Sequence, residues 1–259
     1  MSKPKIHRTA IVAPGTKLAK GASVGPYCIV GKGVKLGKNT RLISHVVIEK
    51  TEMGTDCIVY PFTTIGTPPQ DVKYKDENTK IKIGSRNIIR EYTTIHRASI
   101  GGNHITEIGN DNFLMAYVHI AHDCKIGNSI LMANAATLAG HVVVEDFAVI
   151  GGLVGVHQFT RIGGYSMVGG FSGVGQDIPP YTIASGSRAK LYGLNIIALK
   201  RHGFGESKIR DLKQTYKILF RSKLTLKKAI DKVKLEIKQS KEVKHLLKFL
   251  EQNKRGICR

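Results

Sequence analysis

The sequence contains no tryptophan, and aromatic residues make up only 7% of its 259 positions. A core built on large rings is therefore excluded. Apolar residues still reach 42%, too many for a disordered chain, so the core must come from aliphatic side chains in a regular array. The four cysteines, Cys28, Cys57, Cys124 and Cys258, have neither paired nor metal-type spacing, which argues against a disulfide framework or a zinc module. Met1 to Gly15 has no apolar stretch of the signal-peptide kind. No segment approaches the ~20 continuous apolar residues of a membrane helix. These absences predict a reduced, cytoplasmic protein with no membrane span. Acidic residues are also scarce: 40 Lys and Arg face 19 Asp and Glu, a net charge of +21. Residues 187–259 hold 21 of the basic and six of the acidic residues, a balance of +15 against +6 for residues 1–186. A tail this basic predicts an acidic partner. Nucleic acid is disfavoured, because neither interleaved aromatics nor a reading motif accompanies the lysines.

What the chain does have is a period of six. From Ile6 an aliphatic residue recurs at Val12, Leu18, Val24, Val30, Leu36, Leu42 and Ile48. The register slips by one and resumes at Met53, Val59 and Ile65, then at Ile83, Ile89 and Ile95. Twelve consecutive stops follow from Ile108 to Val174, and the next residue is Gly or Ala at nine of them. The fifth position is mostly small or β-branched, as at Val118, Cys124, Ala136, Val142 and Ala148. Six is a multiple of two, so strand alternation survives from repeat to repeat, and positions one and five point to the same side. An amphipathic helix has no such period. The pattern predicts a parallel β-helix over residues 1–186. Its hexads resemble those of the hexapeptide-repeat family, which implies left-handed winding, a triangular prism and three hexads, about 18 residues, per coil.

Two segments interrupt the rhythm. Residues 67–82 are polar and open with Pro68-Pro69; because Ile65 and Ile83 lie 18 residues apart, the segment reads as one coil bulged outward into a loop. Residues 101–107 form a shorter excursion. Insertions on repeat scaffolds commonly carry function. Beyond Pro179-Pro180 the spacing becomes helical over 194–202, 207–221, 225–239 and 242–253. Residues 187–259 are thus expected to form a small basic α-helical domain capping the prism.

Histidine stands out on a scaffold of small and aliphatic positions. His119, His122 with Asp123, His141, and His157 with Gln158 recur at close to one coil, which predicts a ladder of polar groups at roughly 4.8 Å steps. Three chemistries compete. His122 could be a general base with Asp123 stabilising its charged form, a device that contributes typically ~10²–10⁴-fold. The histidines could hold zinc, as in the γ-type carbonic anhydrases built on the same repeat; but His119 and His122 are three apart, which in a strand or turn sends them to different sides. Cys124 could be a nucleophile, but its inward fifth position favours inert packing. Gly140, just before His141, allows close backbone approach, and its N–H could stabilise an oxyanion.

The motifs together resemble one family closely. Tyr117–Cys124 (YVHIAHDC), Thr137–His141 (TLAGH) and Val156–Phe159 (VHQF) are joined by Gln70–Tyr74, Thr94–Arg97, Gln176–Pro180, Gly193–Asn195 and Leu199–Arg201. In order and spacing they are similar to the UDP-N-acetylglucosamine acyltransferases, from about Ile6 to the C-terminus. That resemblance implies transfer of a 3-hydroxyacyl chain from acyl carrier protein to the sugar 3-hydroxyl, the first step of lipid A biosynthesis, with no cofactor and no metal. It implies His122 as base, Asp123 as its partner and Gly140 N–H as oxyanion donor. It further implies substrate contacts from Asp71, Lys73, His96, His119, His141, His157 and Gln158. Asn195, Arg201 and His202 fall at nucleotide-binding positions, and Gly170 at the position that limits acyl-chain depth. The family is homotrimeric, with sites between subunits. This chain departs from the pattern at Ile197, where relatives carry Glu, and at His202, where they carry a second Arg. An acceptor bearing 3-amino instead of 3-hydroxyl, hence N-acyl transfer, is the alternative; zinc carbonic anhydrase is a remoter one.

Overall fold

The computed structural model describes residues 3–102 and 104–259. Met1, Ser2 and Asn103, the last within the short excursion, lie outside the described residues. From Lys5 to Val174 the chain advances through short strands, most of two residues, dealt in rotation to three sheets. The first face opens with Lys5–Ile6, the second with Ile11–Val12 and the third with Lys17–Leu18. One coil later each face receives its next strand in parallel, Lys5 opposite Ser23 and Ile11 opposite Ile29. The hexad residues from Val24 to Val174 are buried in one continuous column. Fifth-position residues such as Val118, Ala136, Val142 and Ala148 are wholly buried beside them. Each buried aliphatic side chain contributes roughly 1.5–3 kcal/mol, and the stacking repeats that gain at every step.

The corners are made by residues in the left-handed region. Between the first and second faces these are Tyr27, His45, Phe62, Tyr92 and Tyr117, with φ between 52° and 64°. Such a conformation is costly for a residue with a Cβ. It is held here because the corner N–H donates to a carbonyl one coil below, as Tyr117 does to Glu91 and His141 to His122.

Both excursions leave the prism at the corner between the second and third faces. The first is not a bulged coil. Thr64–Thr67 pairs on the second face and Lys80–Ile83 on the third, so Ile65 to Ile83 is a single step of the hexad with an insertion at one corner. Sequence spacing cannot separate these cases, because an insertion of two hexads preserves the phase; strand register can. The second excursion lies between Thr94–His96 and Ile105–Ile108, again second face to third.

After Val174 the first sheet gains Thr182–Ser185 and then Lys190–Leu194, the latter antiparallel. The sequence pattern had placed Leu194 in a helix; instead it ends this hairpin. Helix α1 (Ile196–Arg201) follows, capped by Asn195. Then come α2 (Glu206–Arg221), α3 (Leu226–Glu236) and α4 (Lys241–Glu251), the last two capped by Thr225 and Ser240. Ile209, Leu212, Leu219, Ile230, Val233 and Leu246 share a second apolar cluster. Arg161 joins the helices to the prism: its guanidinium donates to Asp177 at 2.8 Å and to the Phe249 carbonyl at 2.7 Å. Among the described residues, no helix is long and apolar enough to cross a membrane.

Candidate active site

The corner between the second and third faces carries the candidate chemistry. Pairing aligns Ile95 with Ile120, Ile120 with Leu138, and Leu138 with Val156. Two residues past each of these, Arg97, His122, Gly140 and Gln158 therefore stack one above another. His122 lies not under a histidine but under Gly140. A Cβ on Gly140 would sit 2.6 Å from His122 Cε1 and 2.7 Å from its Nε2. No other residue type leaves the imidazole its space. Gly140 N–H donates to no backbone or side-chain acceptor among the described residues.

His122 Nδ1 lies 2.8 Å from Asp123 Oδ2, and the Asp123 side chain is only 2% exposed. The same oxygen accepts from the Ser99 N–H at 2.9 Å and the Ser99 hydroxyl at 2.8 Å. Burial pushes the Asp123 carboxyl up, but the hydrogen bonds from His122 and Ser99 outweigh it and hold the group below its usual range. An ionised Asp123 fixes the hydrogen of neutral His122 on Nδ1 and turns the Nε2 lone pair outward, as a general base requires. His141 meets His122 edge-on at 5.2 Å and stacks on Phe159 at 4.5 Å. Its Nε2 is 3.9 Å from Asp123 Oδ2. Burial lowers the His141 pKa, while the Asp123 and Asp71 charges pull the other way.

His96 and His119 complete the polar floor. His119 accepts or donates at Nδ1 to the Thr94 hydroxyl, 2.7 Å away, and faces His96 at 5.3 Å. Burial, reinforced by His96 and His122, takes the His119 pKa down to about 4. Burial also lowers that of His96, whose Nδ1 binds the Pro68 carbonyl at the root of the long loop. Both are therefore neutral near pH 7. The Cys124 sulfhydryl donates to the Ala139 carbonyl, and burial pushes its pKa up to about 12, so it is a packing thiol. Asp71 accepts the Lys73 N–H at 2.9 Å in a turn of the long loop, and the Lys73 side chain is exposed. His157 and Gln158 lie exposed one coil above Gly140. His157 Nδ1 accepts from Arg255 at 2.9 Å, a contact between the last coil and the C-terminus that no local pattern signals. Ser99, too, follows no period and was not expected.

Other candidates lie elsewhere on the chain. Gly170 is at the corner between the first and second faces, beside exposed Phe171. Asn195 is buried, its side chain donating to the Tyr165 carbonyl and capping Ala198 N–H of α1. Arg201 is exposed, and His202 rests against Phe147 and Tyr165 at the third corner. The candidates thus divide among three corners that a single prism keeps apart. For a metal, His122, Asp123 and His141 place one ligand atom each within 4.8 Å of one another. Two of those groups already bond to each other as an acid–base pair, and His119 stands outside the set.

Comparison with known proteins agrees with this geometry. Residues 177–258 match the family model described as UDP-N-acetylglucosamine O-acyltransferase, domain 2. The chain is 66% identical over 256 residues, 98% of its length and 99% of the relative's, to the acyl-[acyl-carrier-protein]–UDP-N-acetylglucosamine O-acyltransferase of Thermodesulfovibrio yellowstonii. It is 48% identical to the enzyme of the same name from Syntrophobacter fumaroxidans, over 98% of this chain and 100% of that one. The solved structure of LpxA from Acinetobacter baumannii superimposes with a TM-score of 0.95 at 42% identity, covering 98% of this chain and 99% of that one. The shared fold is the left-handed parallel β-helix with a C-terminal helical part, and the chain belongs to the acyl-[acyl-carrier-protein]–UDP-N-acetylglucosamine O-acyltransferase family.

Proposed function

We propose that the chain transfers a 3-hydroxyacyl group from acyl carrier protein to the 3-hydroxyl of UDP-N-acetylglucosamine, in the cytoplasm, as the first step of lipid A biosynthesis. The observation that carries the mechanism is His122, oriented by buried Asp123 and set directly under Gly140. His122 Nε2 takes the hydroxyl proton as the sugar oxygen attacks the thioester carbonyl. The Gly140 N–H donates to the oxyanion that develops. As the tetrahedral intermediate collapses, the C–S bond breaks, the ester remains, and the imidazolium returns its proton to the departing carrier thiolate. Neutral His96 and His119, with His141, line the floor as hydrogen-bonding groups. Asp71 and Lys73 approach the sugar from the long loop, and His157 and Gln158 from the coil above.

Asn195, Arg201, His202 and Gly170 lie at the other two corners, so they serve this site only if a neighbouring chain presents them. That division supports a homotrimer with sites between prisms, in which Arg201 meets the nucleotide diphosphate and His202 stands where relatives place arginine. Gly170, with no side chain, leaves room for a long acyl chain. The basic helical tail fits an acidic carrier protein. The test is one assay: carrier protein loaded with 3-hydroxyacyl chains of graded length, offered UDP-N-acetylglucosamine and its 3-amino analogue, with products identified by mass. An O-linked ester on the first sugar is expected; exclusive amide formation would overturn the acceptor assignment.

A further inference from the structure

One buried charge plays no part in the mechanism above. Arg97 occupies, one coil lower, the corner position that His122 occupies in its own coil, yet it is only 4% exposed. Its guanidinium makes four hydrogen bonds. Nη1 donates to Glu49 at 3.1 Å and to the Gly66 carbonyl at 2.9 Å, both on the prism. Nε donates to the Tyr74 hydroxyl at 2.9 Å and Nη2 to Asp76 at 3.0 Å, both on the long loop. The Tyr74 ring lies under the guanidinium, 5.5 Å from its carbon, and the Tyr74 hydroxyl donates on to the Glu77 carbonyl. One planar fork thus binds two acceptors of the scaffold and two groups of the insertion, a geometry arginine supplies and lysine does not.

The loop has little else to hold it. Val72 at its tip is fully exposed, and most side chains from Gln70 to Lys80 face solvent. Tyr74 and Asp76 follow directly on Asp71 and Lys73, and the Tyr74 N–H donates to the Asp71 carbonyl at 3.0 Å. A residue that fixes Tyr74 and Asp76 therefore fixes the direction of approach of Asp71, whose charge reaches His141.

We propose that Arg97 is a positioning residue, a buried clamp that holds the 67–82 loop against the catalytic corner so that Asp71 and Lys73 meet the sugar acceptor. The proposal rests on the reading of Asp71 and Lys73 as acceptor contacts. The clamp acts on ground-state binding, because it touches neither His122 nor Gly140.

The test combines steady-state kinetics with limited trypsin digestion, which reports the loop through Lys73, Lys75 and Lys80. Arg97→Met should raise KM for the UDP-sugar about tenfold, the worth of one charge-assisted hydrogen bond, with kcat within about threefold, and should speed cleavage in the loop. Arg97→Lys should recover only part of this. Tyr74→Phe and Asp76→Asn remove the clamp from the loop side without unpairing a buried charge on the prism, and should each show the same KM-selective change to a smaller degree. They answer the question even if Arg97→Met fails to fold. Asp71→Asn is the reference. If it raises KM while the Tyr74, Asp76 and Arg97 variants do not, the clamp is overturned and the acceptor reading stands. If Asp71→Asn and Lys73→Ala leave KM unchanged, the acceptor reading falls, and with it the functional role of the clamp. Loss confined to kcat would also overturn it.

Discussion

The corner between the first and second faces and the corner between the second and third are built by the same backbone, with a left-handed residue once per coil. One carries Tyr27, His45, Phe62, Tyr92 and Tyr117 stacked ring on ring at 4.9 to 5.1 Å. The other carries Arg97, His122, Asp123 and His141, with both insertions. The turn geometry is therefore not what makes a site. What sets the second corner apart is a glycine in register above an imidazole, a buried carboxylate beside it and the two insertions that leave the prism there. The rings from Tyr27 to Tyr117 show what the same scaffold does without them: they pack against one another.

The largest test of that contrast is His122→Ala, which should cost at least ~100-fold in turnover with thermal stability little changed; a variant retaining near-full activity would remove His122 from the chemistry. Gly140→Ala comes next. Its Cβ must displace the imidazole, and a displacement near 1 Å is worth about 100-fold in rate. The loss should fall on kcat, and His122 resonances should shift in NMR spectra. Ser99→Ala removes the hydroxyl hydrogen bond, one of those that hold the Asp123 carboxyl below its usual range, and leaves the backbone N–H bond in place. The acid limb of the kcat profile should then move to higher pH, with turnover reduced about tenfold; an unmoved limb would deny Ser99 that role. His119 makes a prediction about stability. Its folded pKa of about 4 lies below the ordinary 6.5, so between those values the unfolded chain binds the extra proton. The contribution is complete above pH 6.5 and is lost as pH falls toward 4, on the order of 3 kcal/mol at most. Melting followed across that window should fall less steeply in His119→Gln. The smallest effect belongs to the stacked corner. Tyr27→Ala should lose about 0.5–1.5 kcal/mol of stability and leave turnover within twofold, as a corner without the polar set should.

Much of this was legible in the sequence, because a β-helix writes its register as a fixed period. Counting 18 from His122 reaches Gly140, so the pairing that matters most was present in the spacing. The spacing puts His122 and His141 on one ladder but does not show that His122 faces glycine while His141 faces Asp123 and Phe159. The long insertion leaves no such mark, since a whole number of hexads keeps the phase intact and hides which face receives Lys80–Ile83. The hairpin strand Lys190–Leu194, the Ser99 bonds and the Arg255–His157 contact depend on pairing with distant segments, which no local pattern records. Gly170 lies two coils and two hexads past His122, so the period itself sets it at another corner; Asn195 and Arg201 lie beyond the repeats, where the period says nothing.

The alignment of Gly140 over His122 has a consequence for how such a site can change. The vertical distance between the His122 and Gly140 backbones is set by sheet hydrogen bonds, not by side-chain packing. It can take only the values that whole coils allow. Adjusting that backbone spacing by a few tenths of an ångström is closed to this architecture; adaptation must come from lateral features, such as loop length, the side chain at a corner, or the neighbour that faces it. The proposed base and donor sit on a ratchet, and specificity would be tuned around it.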